Sequence, residues 1–155
     1  MTKDPFNPVD TEARALARSL IENARHGALG VLDTGEPVVT RVALAPEETS
    51  VLILISDLAP HTAALRARPK ASLLIGEPGK GDPLAHPRIT LQVEATFLEK
   101  TENLAKRYLA HQPKAQLYIG FAAFHRVRLS ILSGLLNGGF GKAYKLGASD
   151  FSIST

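Results

Sequence analysis

Between two apolar runs the chain reads "LISDLAPHTAALRARPKASLLIG", residues 54–76. Ser56 closes the first run. His61, Thr62, Arg66 and Lys70 follow before the second run is under way. A hydroxyl at a strand end, an imidazole and several cations in one short link suit the binding of an anion. Pro60 fits the first position of a helix and predicts a short one over 60–65, whose free N–H groups favour negative charge. Arg41 lies inside another apolar run, "VVTRVAL", and its guanidinium can grip a phosphate with two bonds. Taken singly, each residue has a plainer role: an edge arginine, a turn-capping hydroxyl, a helix cap. Together, Arg41, Ser56, His61, Thr62 and Arg66 or Lys70 form a candidate phosphate pocket. A partly protonated His61 in it would make anion affinity rise as the pH falls toward about 6.

Other chemistry is missing. There is no GxGxxG or Walker loop and no GxSxG elbow. The five histidines (His26, His61, His86, His111, His125) include no HxH or HxxxH pair, and there are no cysteines, so no metal site is expected. Asp33, Asp57 and Asp82 sit in turn-like stretches, where Asp forms turns.

The elements that must position these groups follow from the pattern. Residues 10–26 read as a helix, with Asp10 as N-cap, an apolar face of Ala13, Leu16, Ala17, Leu20 and Ile21, and Gly27 to end it. "GALGVLD" and "PVVTRVALA" flank "DTGEP" as a hairpin. "SVLILIS", "ASLLIGE", "RITLQVEATFLE" and "AAFHRVRLSIL" read as further strands. In the third of these Ile89, Leu91, Val93 and Ala95 share one face, and Thr90, Gln92 and Glu94 the other. In the fourth, Val127, Leu129 and Ile131 share a face. "TENLAKRYLAHQ" reads as a helix capped by Thr101. An Asn-Gly-Gly turn then precedes a short last strand. Six or seven strands with short connections predict a mainly β (α+β) fold: an antiparallel barrel with peripheral helices.

The chain has 155 residues, a net charge of +3 and 45% hydrophobic residues. This is one domain, residues 1–155, with loose tails expected at 1–9 and 147–155. The first residues do not resemble a signal peptide, and no run approaches the roughly 20 apolar residues of a membrane span. The expected location is the cytoplasm. Basic residues are scattered and do not alternate with aromatics, which speaks against nucleic acid as a partner.

At this point the sequence resembles a known family, the pyridoxamine 5′-phosphate oxidase-like, FMN-binding split-barrel proteins, and within it the haem-utilisation (HugZ-type) group. The resemblance runs from about residue 12 to 146. It rests on "GALGVLDTGEPVVTRVAL", "LISDLAPHTAALRARPKASLLIGE", "DPLAHPRITLQVEA", "RYLAHQPKAQLYIGFAAFHRVRL" and "NGGFGKAYKL", in that order. It implies a six-stranded split barrel, a homodimer and FMN at the dimer interface. By matching, Arg41 is the strand arginine on the phosphate and Ser56 the hydroxyl. His61 and Thr62 stand where phosphate-oxidase relatives have a basic pair. Leu44 and Ile55 would run along the ring system, and Thr90 or Gln92 would reach its polar edge. The chain has no tryptophan and no match to the Arg- and Trp-containing segment that recognises pyridoxamine, so vitamin B6 oxidation is not expected.

The resemblance implies an FMN-dependent oxidoreductase acting on a small redox substrate. Two other readings stand beside it. One is a haem-binding or haem-degrading protein, with His61, His86 or His125 on the iron. The other is a cofactor-binding module without turnover. The apolar stretch "LSILSGLL" adds a second reason to expect a homodimer.

Overall fold

The computed structural model describes residues 4–152. The first helix, α1 (Thr11–Glu22), starts where the sequence places it: the Asp10 carboxylate accepts from the Ala13 N–H at 2.8 Å. Its apolar stripe buries Ala13, Ala17 and Ile21. It ends at Asn23, short of the expected Gly27. Gly27 belongs instead to the first strand, β1 (His26–Asp33), where a Cβ would stand 2.9 Å from the Leu74 carbonyl oxygen. The glycine serves close packing of strands there.

Strands β2 (Glu36–Pro46) and β3 (Ser50–Ser56) follow, then helix α2 (Pro60–Ala67) and strands β4 (Lys70–Ile75) and β5 (Arg88–Leu98). Helix α3 (Glu102–His111), capped by Thr101, leads to β6 (Phe124–Asn137) and β7 (Ala143–Gly147). The β1–β2 hairpin turns at Thr34 and Gly35, both at positive φ, as a tight hairpin requires.

All strand pairs are antiparallel, in the order β3-β2-β1-β4-β5-β6-β7. A further pairing of β3 with β6 closes the first six into a barrel, and β7 extends the sheet from β6. The fold is the mainly β barrel that the strand count predicts. Its interior is filled by the alternate residues of every strand, among them Leu29, Leu44, Ile53, Leu73, Leu91, Val127 and Leu129. Outside it, α3 covers part of β2 and β3 through a second apolar cluster of Ala45, Leu52, Tyr108, Ala115 and Ile119.

Two irregularities shape the barrel. First, β2 and β3 pair only over Leu44–Pro46 and Val51–Ile53. Beyond Leu44 the ladder ends, and α2 packs beside the gap with the His61 ring 2.9 Å from the Thr40 hydroxyl of β2. Second, the β5–β6 register shifts between Gln92 and Val93, leaving Leu132 as an extra residue on β6. The alternation that buries Leu129 and Ile131 therefore resumes one residue late, at Gly134 and Leu136.

The ends are more ordered than their polarity suggests. Asn7 bridges to Tyr144, and Phe151 is buried behind a 3-10 turn over Ala148–Phe151 that an Arg14–Asp150 ion pair holds. Residues 1–3 and 153–155 of the expected tails lie outside the described residues.

Candidate cofactor-binding face

The register assigns the outward face of the barrel residue by residue. Arg41 pairs with Ala28, Ala28 with Leu74, Leu74 with Thr90 and Thr90 with Leu135. These form one outward row across β2, β1, β4, β5 and β6. The next row is Val39, Gly30, Ser72, Gln92 and Ser133. No helix packs over these rows among the described residues, and Val39 is 70% exposed. Leu32, Leu74, Leu132 and Leu135 are exposed on the same strands. Ala28 and Gly30 make a flat floor between two shallow depressions. One, of about 280 Å³, holds Arg41, His26 and Glu77; the other, of about 370 Å³, holds Ser72, Gln92 and Lys70.

Arg41 makes no hydrogen bond or ion pair among the described residues, while its neighbour Glu77 is taken by His26 at 2.6 Å. Three strand spacings separate β2 from β5 in this sheet, so the Arg41 and Thr90 backbones stand about 14 Å apart. An unpaired guanidinium at one end of a flat, half-apolar strip, with polar groups at the other end, suits an elongated ligand with one anionic terminus. On the polar end the Ser72 hydroxyl donates to Gln92 Oε1 at 3.0 Å, which leaves the Gln92 amide N–H groups facing outward.

The residues of the β3–α2 link divide. Continued past Leu44, the β2–β3 register would set Ser56 opposite Arg41, on the same outward parity. The Ser56 hydroxyl oxygen accepts from the Leu58 N–H at 3.1 Å, so its own proton remains available to a ligand. Ala59 gives α2 no side-chain cap; Pro60 has no N–H and the Thr62 N–H donates to the Ala59 carbonyl oxygen at 3.2 Å, which leaves the His61 N–H as the spare donor of the first turn. The Thr62 hydroxyl, by contrast, donates to the Ser56 carbonyl oxygen at 2.5 Å and is buried. His61 is 7% exposed. Its Nδ1 meets Thr40, its Nε2 is buried without a partner, and burial pushes its pKa below the ordinary imidazole value. A neutral, inward-facing His61 does not give the pH-dependent anion affinity expected from a charged one.

Leu44 and Ile55 point into the barrel core, at 0% and 2% exposure. Their side chains face away from the strip that carries Arg41, Thr90 and Gln92. Arg66 also leaves the pocket: its guanidinium lies 4.0 Å over the Phe97 ring, beside His125, which the Asp57 carboxylate holds at 2.5 Å. Of the three histidines considered for iron, His86 Nε2 is bonded to the Lys80 carbonyl oxygen at 2.8 Å and His125 Nε2 to Asp57 at 2.5 Å, while His61 Nε2 has no partner but is buried. Among the described residues no group of three or more His, Asp or Glu side chains is placed to hold a metal ion.

Sequence reasoning placed Val39 on the face of Arg41 but missed Ser72 and Leu74. The alternation of "ASLLIG" around buried Ala71, Leu73 and Ile75 was the signal that would have placed Ser72 and Leu74 outward.

A closed six-stranded antiparallel barrel, split beside α2, is the architecture of the split-barrel proteins. No protein-family model and no curated protein sequence matches the chain. Solved structures do. One chain, 45% identical, superposes with a TM-score of 0.86 over 94% of this chain and 99% of its own length. A haem-binding protein from Mycobacterium smegmatis is 28% identical, with a TM-score of 0.84 over 93% of this chain and 61% of that one. This chain thus spans about three-fifths of that protein. A protein from Clostridium acetobutylicum related to general stress protein 26, of the pyridoxinephosphate oxidase family, shares the fold at 11% identity, with a TM-score of 0.73 over 92% and 99% of the two chains. The chain shares the split-barrel fold of these proteins, one of them of the pyridoxinephosphate oxidase family.

Proposed function

We propose that the protein is a homodimeric FMN-binding oxidoreductase, with the flavin lying along the Arg41–Thr90 strip and a second copy covering it. The carrying observation is the unpaired Arg41 guanidinium at the end of that bare strip. Arg41, the Ser56 hydroxyl and the first turn of α2 would hold the phosphate. Thr90 and Gln92 would meet the polar edge of the ring system, and Ala28 and Gly30 would let it lie close to the sheet. The apolar groups Val39, Leu74 and Leu135 give both the ring and the second copy surface to bury. Bound flavin supplies the electron transfer, and the chain's own residues bind, orient and exclude water. No general base is needed from the protein for that division of labour.

The test is an FMN titration followed by the visible spectrum. Saturable binding with a shifted flavin band is expected. Arg41→Ala should weaken it about 30-fold, the loss of one charge-assisted phosphate contact. A protein without a flavin band that also fails to bind added FMN would end this reading.

A haem-binding role is the second reading, favoured by the 28% identity to the mycobacterial haem-binding protein. A haemin titration without a Soret shift would remove it. If flavin binds yet exchanges electrons with neither nicotinamide nucleotides nor oxygen, a non-catalytic module is the better description.

A further inference from the structure

A depression larger than those of the bare strip lies elsewhere. It is a groove of about 750 Å³ at the end of the barrel where β2 turns into β3. That size falls within the roughly 300–1,000 Å³ of small-molecule sites. It is lined from four directions: Arg18 and Glu22 of α1, residues 46–50 of the β2–β3 turn, Arg107 and His111 of α3, and Arg128 and Ser130 of β6.

Its organising group is Glu47, whose side chain is 9% exposed. The carboxylate accepts from Arg128 Nε at 2.7 Å and Nη2 at 3.0 Å, from the Ser50 hydroxyl at 2.6 Å and from Arg107 Nη1. Two guanidiniums are thereby fixed side by side by one buried anion. Their remaining donors have no acceptor among the described residues: Arg128 Nη1, Arg107 Nε and Arg107 Nη2. The His111 ring likewise makes no hydrogen bond among the described residues. Arg18 is already committed, to the carbonyl oxygens of Glu48 and Phe151. Glu22 stands 3.9 Å from Arg18 and Glu48 also lines the groove, so the site is not a broad cationic patch. What distinguishes it is geometry: two arginine forks held in place, with unused N–H groups lining one groove. Planar forks of this kind match tetrahedral oxyanions.

We propose that this groove is a second ligand site, separate from the Arg41 strip, that binds a phosphate group between Arg107 and Arg128. The phosphate is either the free ion or the terminus of a small phosphorylated metabolite. Nothing in this assignment depends on flavin binding, since the two sites share no residue.

The experiment is calorimetric titration of the full chain with inorganic phosphate and, separately, with glycerol phosphate. Saturable binding with a Kd at or below about 1 mM is expected for at least one of them. Tighter binding of the ester identifies a phosphorylated metabolite, and tighter binding of the ion identifies free phosphate; either supports the site. Arg107→Gln, at a half-exposed position, should weaken binding about tenfold, and Lys80→Gln, at an exposed position outside both sites, should leave it unchanged. In NMR spectra the His111 ring signals should move on addition of phosphate. Absence of saturable binding by both ligands, an unaffected Arg107→Gln variant, unmoved His111 signals, or loss of binding in Lys80→Gln would each overturn the proposal.

Discussion

Glu47→Gln should make the fold less stable at neutral pH and remove part of its sensitivity to acid. Burial alone would raise the Glu47 pKa, but the bonds from Arg128, Ser50 and Arg107 outweigh it and bring it from the ordinary 4.5 to about 2. That gap corresponds to about 3 kcal/mol of preference for the charged form in the folded state. Arg128 and Arg107 are 33% and 52% exposed, and water can take over part of their bonding. The usable contribution is therefore about 2 kcal/mol. Because the folded-state pKa is the lower one, this stabilisation is complete above about pH 4.5 and disappears as the pH falls toward 2. Glutamine keeps the shape and one acceptor but not the charge. Urea melts of both proteins across pH 7 to about 2.5 should start about 2 kcal/mol apart and converge at the acid end. Asp150, also held low by Arg14 and the Gly147 N–H, gives both proteins a common acid slope, so the difference between the curves is the quantity to read. A constant offset at every pH would refute a charge-based role for Glu47.

Gly76→Ala should lower the melting temperature by roughly 5–10 °C, because a side chain at φ +129° would also meet the Pro87 carbonyl oxygen at 2.6 Å. Gly35→Ala, at φ +85° but in open space, should cost only about 1 kcal/mol in the same thermal scan. His61, buried and depressed in pKa, should be neutral at pH 7, so its ring NMR signals should titrate below the ordinary imidazole range; FMN affinity that climbs with His61 protonation would contradict its inward placement. For the proposed dimer, Leu74→Glu places a charge on the bare strip and should raise the dissociation constant at least about 100-fold in sedimentation without changing the barrel's circular dichroism; an unweakened association would show that the strip is not an interface.

The barrel was legible because its strands announce themselves twice. "RITLQVEATFLE" alternates over its whole length, and "DTGEP" carries the turn chemistry that fixes a hairpin register. The β3–α2 link was legible as a set of residues but not as directions. Read as an anion site, His61 and Thr62 belong at an open helix start. Read by helical period, residues 61, 62, 64 and 65 form one face, and that face is the buried one. Packing against the barrel decided between the two, as it does wherever a short polar segment also carries an apolar stripe. Leu132 shows a different limit: the bulge arises from how β6 meets β5 beside Gln92, and the local pattern "SILSGLL" permits either register. The Glu47 groove was least accessible, since its lining comes from four elements separated by more than a hundred residues of chain.

Arg41 and Arg128 together show what decides whether a strand arginine is structural or available. Both alternate with apolar neighbours, and both point to the outside of the barrel. Arg128 faces the Glu47 carboxylate brought in by the β2–β3 turn, so its Nε and Nη2 are spent within the fold and Nη1 is left for a ligand. Arg41 is opposite Ala28, and the nearest carboxylate in its depression is already held by His26. A guanidinium without an internal partner contributes little to stability, and its replacement should leave the melt almost unchanged. If Arg41→Ala destabilised the protein as much as the loss of Arg128 does, the guanidinium would be part of the scaffold, and the case for a ligand at that end of the strip would fail.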